Sequence, residues 1–108
     1  PFVLSWSLLD AMSAGCLIVA SDTPPVREFM EDGKTGLLVP MHDHEALAAR
    51  IAEALDNQEG LERVRNKARA QIVEHLDAKR VIWPKRKTLI EKTIRNRKAA
   101  LARAGATA

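Results

Sequence analysis

Ser7-Leu8-Leu9-Asp10-Ala11-Met12-Ser13-Ala14-Gly15, running straight into Cys16-Leu17-Ile18-Val19-Ala20, is the stretch on which the fold turns. Leu8, Leu9 and Met12 recur at helical spacing, Ser5 or Ser7 is placed to cap the start, and Gly15 supplies a left-handed stop. The apolar run from Cys16 to Ala20 is continuous and holds β-branched residues, which predicts a strand buried on both faces, the pattern of a parallel sheet. Cys16 is then expected to be an inert, packed thiol.

Beyond that strand, Asp22-Thr23-Pro24-Pro25 predicts a break and a short helix over residues 26–31, because proline is tolerated in a first helical turn. Glu28 reads as a structural acid near that helix start. Asp32-Gly33-Lys34-Thr35-Gly36 is a turn, and Leu37-Leu38-Val39 a second strand. Asp43 is placed to cap a helix reaching about residue 56, with Leu47, Ile51 and Leu55 on one face. A further helix carries Leu61, Val64, Ala68, Ile72 and Leu76 as a stripe. Asp77 starts a third, long and basic helix; Pro84 in its first turns predicts a kink or break, and the tail from about Lys98 is expected to fray. Trp6 and Trp83 are expected to pack in a core or between helices.

Helix, strand, helix, strand, helix is the order of βαβ units. Two parallel strands do not make an independent sheet, so the first helix reads as the connection from a strand preceding Pro1. The expected class is therefore α/β: part of a Rossmann-like, doubly wound domain, with two short parallel strands and a helical C-terminal half. Residues 1–76 form the domain fragment, and residues 77–108 a basic closing helix and tail.

Composition narrows the options. The 108 residues are 46% hydrophobic and 29% charged, which suits a folded chain. No apolar stretch approaches the roughly 20 residues a membrane span needs, and no basic region precedes an apolar run as in a signal peptide. One cysteine excludes an internal disulfide framework and points to a reducing, cytoplasmic setting. Charge is divided: residues 1–56 hold nine acids and three bases, residues 57–108 five acids and fourteen bases. That basic half is a solvated helix face, a surface for anionic lipid, or a nucleic-acid surface. Two phenylalanines, two tryptophans and no tyrosine leave little to stack on bases, so no specific nucleic acid is expected.

Ligands of open α/β sheets bind beyond the carboxyl ends of the strands. Here the start of the first helix, residues 4–7, offers free backbone N–H groups and hydroxyls suited to a phosphate. Asp10 lies one turn further, where a carboxylate can accept two hydrogen bonds from a ribose diol. Thr23 sits in the loop leaving the first strand. His42-Asp43-His44 looks like a metal motif, but Asp43 is explained as a cap and no further ligands lie close in sequence, so no metal is expected.

The ordered set formed by residues 7–23, then Pro24-Pro25-Val26-Arg27-Glu28, then Asp32-Gly33-Lys34-Thr35-Gly36-Leu37-Leu38-Val39, resembles family 4 (group 1) glycosyltransferases. These are retaining enzymes of the GT-B fold, with two Rossmann-like domains and a donor site between them. The likeness covers residues 1 to about 56, and more loosely the closing helix from Asp77. It implies that residues 1–76 belong to the C-terminal, nucleotide-sugar-binding domain. The family motif is a pair of glutamates with seven residues between them; Asp10 falls at the second, which binds the ribose hydroxyls, and Phe2 at the first, which addresses the donor sugar. Between them, Leu4, Ser5 and Trp6 match the stretch whose backbone N–H groups hold the diphosphate, and Thr23 opens a stretch flanking the nucleotide.

The implied reaction moves a sugar from an NDP-sugar, a substrate rather than a cofactor, to a hydroxyl acceptor held mainly by an N-terminal domain outside this chain. The fragment alone is then expected to be inactive. The implied location is cytoplasmic, with peripheral contact at the inner face of the membrane through residues 79–103. Two other readings stand beside it: a non-catalytic remnant, suggested by Phe2 in place of a glutamate, and a basic helical module for anionic lipid or nucleic acid in residues 57–108.

Overall fold

The structure, a computed structural model, describes residues 4–107. The chain divides into two compact units, Pro1–Val73 and Glu74–Ala108.

The first unit opens with α1 (Trp6–Ala14), which Gly15 ends in the left-handed conformation at φ 77°. Lacking a Cβ, Gly15 adopts that angle without strain, and the N–H groups past the helix reach back to the Met12 and Ala11 carbonyls at 3.1 and 3.0 Å. Then follow β1 (Val19–Ser21), α2 (Pro24–Arg27) and β2 (Leu37–Val39). The two strands pair in parallel, with Val19, Ala20 and Ser21 opposite Leu37, Leu38 and Val39. Two further bonds extend the ladder: Leu37 N–H to the Ile18 carbonyl (2.9 Å) and Asp22 N–H to the Val39 carbonyl (2.7 Å).

Because Leu37 donates towards β1, the N–H of the next residue, Leu38, points to the opposite edge of β2. Asp32 takes it there: its Oδ1 accepts from Leu38 N–H at 2.8 Å. The same carboxylate is gripped by Arg50 Nη2 at 2.8 and 3.0 Å, and Arg50 Nη1 reaches Glu53 at 2.9 Å. An edge strand is thus closed by a side chain and tied to α3 (His44–Asp56). The Leu38 N–H and the Arg50 guanidinium hold the Asp32 carboxyl below its usual value of 3.8, and the hydrogen bonds to Glu53 and then Asp32 raise Arg50.

Asp43 caps α3 as its sequence position predicts, accepting from Ala46 N–H at 2.9 Å. α3 packs on both strands. α4 (Glu62–Leu76) buries Val64, Ala68 and Ile72, the middle of the stripe read from sequence. Its Arg69 donates to the Ser13 carbonyl at the end of α1. Leu8, Met12, Met30, Leu37, Val39 and Ala54 complete the core with those three. Met30 fills the space beside Gly36 so closely that a Cβ on Gly36 would meet its Sδ, with Cε 2.6 Å away.

In the second unit Asp77 accepts from Arg80 N–H at 2.7 Å and starts one π-helical turn, Ala78–Ile82, which passes into α5 (Trp83–Thr107). The break expected at Pro84 is this change of helix type immediately before it. Residues 83–106 are all exposed.

The α/β class, with two short parallel strands and a helical C-terminal half, is as the sequence predicts. Several details differ. β1 begins at Val19 rather than Cys16, because Leu37, the first residue of β2, lies opposite Val19, and this pairing rather than the start of the apolar run sets the strand's limit. Val19 and Ala20 are half-buried and Cys16 is exposed, since β1 is covered by α3 and flanked by only one strand among the described residues. α2 has four residues, two of them proline. On α3 it is Ala54 that is buried, while Leu47, Ile51 and Leu55 stay 37, 43 and 64% exposed. Trp6 and Trp83 are 84 and 68% exposed rather than packed. The tail beyond Lys98 is helical to Thr107, as its run of alanines favours.

Candidate functional site

α1 is the element that gathers the candidate residues. Successive helical residues turn by about 100°, so Trp6 and Asp10 share one face while Leu8 and Met12 share the opposite one. The structure agrees: Leu8 and Met12 are buried, and Trp6 and Asp10 are exposed. Burial of one face therefore fixes the other outward, with an indole and a carboxylate one turn apart.

The start of the helix is open. Ser5 occupies the N-cap position in extended conformation, yet its side chain makes no capping bond. Its hydroxyl instead meets that of Ser7 at 2.6 Å. The sequence predicts that one of these serines caps the helix; the position is right, but the hydroxyl does not cap. First-turn N–H groups left without a side-chain acceptor, at the positive end of the helix dipole, suit an anion. Leu4, half-buried, precedes this turn. The Asp10 carboxylate has no hydrogen-bond or ion-pair partner among the described residues.

Thr23 stands elsewhere. It is the N-cap residue of α2, just beyond the carboxyl end of β1, and is buried at 9% exposure. Its carbonyl accepts from Arg27 N–H at 3.0 Å, and Arg27 in turn pairs with Asp22 at 3.0 Å. So Leu4 and Ser5 lead into α1, Trp6 and Asp10 lie on it, and Thr23 belongs to a different element. Phe2 lies outside the described residues.

Sequence reading missed the polar cluster around Asp32. A groove of about 460 Å³ runs past the carboxyl ends of both strands, lined among others by Asp22, Arg27, Glu31, Asp32 and Pro40. Its three carboxylates are all matched: Asp22 by Arg27, Asp32 by Arg50 and Glu31 by Lys34 at 2.5 Å. Charges satisfied in this way serve the framework. The Asp-Gly turn was the only local sign, and Arg50, eighteen residues on, could not be paired with it from sequence.

Among the described residues no group of three or more His, Cys, Asp or Glu is arranged to hold a metal ion. His42 is exposed at φ 68° beside the Asp43 cap. No described helix is long and apolar enough to cross a membrane.

The family model for glycosyl transferases group 1 matches residues 3–71, which includes α1, both strands and most of α4. A protein of Salmonella typhimurium named as a colanic acid biosynthesis glycosyltransferase, WcaL, is 38% identical over 69 residues, covering 63% of this chain and 17% of its own length. A phosphatidyl-myo-inositol mannosyltransferase of Mycolicibacterium smegmatis is 38% identical over 52 residues, 48% of this chain and 14% of the relative. An alpha-maltose-1-phosphate synthase of the same organism is 45% identical over 51 residues, 45% of this chain and 13% of the relative. The chain thus spans less than a fifth of the length of these relatives. With the matched segment covering the helix, the parallel strands and the open helix start just described, the chain belongs to the group 1 glycosyltransferase family.

Proposed function

We propose that this chain supplies the donor-nucleotide side of a retaining glycosyltransferase that moves a sugar from an NDP-sugar to a hydroxyl acceptor. The observation that carries the reading is α1: an N-terminus without a side-chain cap and, one turn on, an exposed carboxylate without a partner among the described residues. In this reading the backbone N–H groups of Leu4, Ser5 and Trp6 and those of the first turn receive the diphosphate. Asp10 accepts hydrogen bonds from the two ribose hydroxyls. Aspartate is one methylene shorter than glutamate, so a water molecule bridges part of that contact.

Transfer breaks the bond between the sugar's anomeric carbon and the diphosphate oxygen and forms one to the acceptor oxygen. The products are the glycoside, a nucleoside diphosphate that keeps the bonding electron pair and gains one negative charge, and the proton released from the acceptor hydroxyl. That proton passes to the diphosphate or to water. Stabilising that departing charge is the principal task, and a helix N-terminus does so without reorganising. Thr23, buried at the start of α2, shapes the loop behind the nucleotide. The NDP-sugar is substrate, and the reading needs no metal.

The acceptor is held mainly by a domain outside this chain, and the 108 residues alone transfer nothing. One relative acts, by its name, on phosphatidyl-myo-inositol, which makes a lipid-linked hydroxyl one acceptor class to test. The reading places the protein in the cytoplasm. In the complete enzyme, Asp10→Ala should weaken nucleoside diphosphate binding by about tenfold, the worth of charge-assisted bonds to a diol. Unchanged affinity would end the assignment of Asp10.

A further inference from the structure

α5 lies outside the segment matched to the family, and its surface has a pattern of its own. At about 100° per residue, Trp83, Ile90, Ile94 and Leu101 fall within about 40° of one another. They are 68, 58, 51 and 54% exposed. The stripe runs eighteen residues, or about 27 Å along the helix at 1.5 Å per residue. Arg86 and Arg97 border it on one side, and Lys87 and Lys98 on the other. The helix holds eight basic residues and one acidic residue, Glu91. Of the four bases that border the stripe, Lys87 has the Glu91 carboxylate 4.0 Å away.

We propose that the Trp83–Ile90–Ile94–Leu101 stripe lies in the interface of a bilayer rich in anionic phospholipid, with the four flanking bases reaching the headgroup phosphates. Charge complementarity selects this occupant. A second copy of α5 would bring rows of like charge face to face on both flanks of the stripe. Nucleic acid would meet an apolar strip where phosphates should sit, with one tryptophan on offer. A flat anionic surface with an apolar interior satisfies both flanks and the stripe together, since arginine and lysine extend to the headgroups while their stems stay in the apolar layer. Trp83 at one end is the side-chain type that prefers the headgroup level. The helix lies in the plane and does not cross, as its charge density requires.

The test uses the whole 108-residue chain and sedimentation with vesicles of phosphatidylcholine, with and without about 30% phosphatidylglycerol. The proposal expects binding to the anionic vesicles alone, weakening as salt shortens the Debye length. Arg86→Gln, Lys87→Gln, Arg97→Gln and Lys98→Gln should each lower the partition coefficient about fivefold, the effect of one basic residue at such a surface. Ile90→Asn and Ile94→Asn should lower it by at least about threefold each at unchanged helix content by circular dichroism. Both side chains are more than half exposed, so these variants leave the fold in place. Absence of binding to anionic vesicles overturns the proposal. So does binding that the two Ile→Asn variants leave intact, because that is plain attraction of a basic helix to phosphates, as on DNA. Stripe-dependent self-association without vesicle binding also overturns it, in favour of a second copy.

Discussion

Removing the Asp32 carboxylate tests how the sheet edge is held. Its Oδ1 accepts from Leu38 N–H at 2.8 Å while both oxygens hold Arg50 at 2.8 and 3.0 Å. Asp32→Ala strands the Leu38 N–H on a half-buried strand, at a cost of about 1–2 kcal/mol. The Arg50 contact adds only about 0.5 kcal/mol, because the Asp32 side chain is 50% exposed and solvent screens the pair. The expected sum is about 2 kcal/mol by urea denaturation followed at the helical circular-dichroism band. Asp32→Asn keeps an acceptor for Leu38 and loses only the charge, so it should cost about 1 kcal/mol or less.

Acidity provides a second axis. The folded state lowers this carboxyl below 3.8, so the native state binds its proton later than the unfolded chain does. Its contribution is full above the unfolded value and is lost as pH falls through the folded one. Stability should therefore drop on acidification below about pH 4, and drop less steeply in Asp32→Asn. The reasoning fails if Asp32→Ala costs no more than the exposed control Glu59→Ala, or if Asp32→Asn leaves the acid limb unchanged.

Gly36→Ala should destabilise by about 1–3 kcal/mol, because its Cβ would enter the space of the buried Met30, and Met30→Ala in the same chain should recover part of that loss. Met12→Ala removes a side chain with 0% exposure between α1 and its neighbours and should cost about 2–5 kcal/mol, read as a lowered urea midpoint with unchanged slope. His42→Asn should stabilise slightly, by about 0.5 kcal/mol, since position 42 sits at φ 68° and asparagine tolerates that region better.

Elements whose chemistry is local were legible in the sequence. Gly15 ends α1 because only glycine takes its angle freely, and Asp43 caps α3 because its carboxylate reaches an N–H three residues on. Leu37-Leu38-Val39 sits between a turn and a proline, so its limits are marked on both sides. β1 carries no such mark: the apolar run has no period, and only the pairing of Val19 with Leu37 sets where the strand starts. The exposure of Leu47, Ile51 and Leu55 depends on what lies against α3, which spacing cannot tell. At the candidate site, the shared face of Trp6 and Asp10 follows from their separation by four. The burial of Thr23 and the pairing of Ser5 with Ser7 rest on tertiary placement and rotamer, and neither is written in the motif.

In the proposed role, α1 of this chain receives a nucleoside diphosphate. Its most direct test is an amide-resonance titration of the chain with UDP and with GDP. Shifts should concentrate at Ser5, Trp6, Ser7 and Asp10, and Asp10→Ala should weaken the fitted affinity by about tenfold while leaving the resonances of α3 and α4 in place. Shifts confined to the basic residues of α5, or an affinity that Asp10→Ala does not change, would contradict that role.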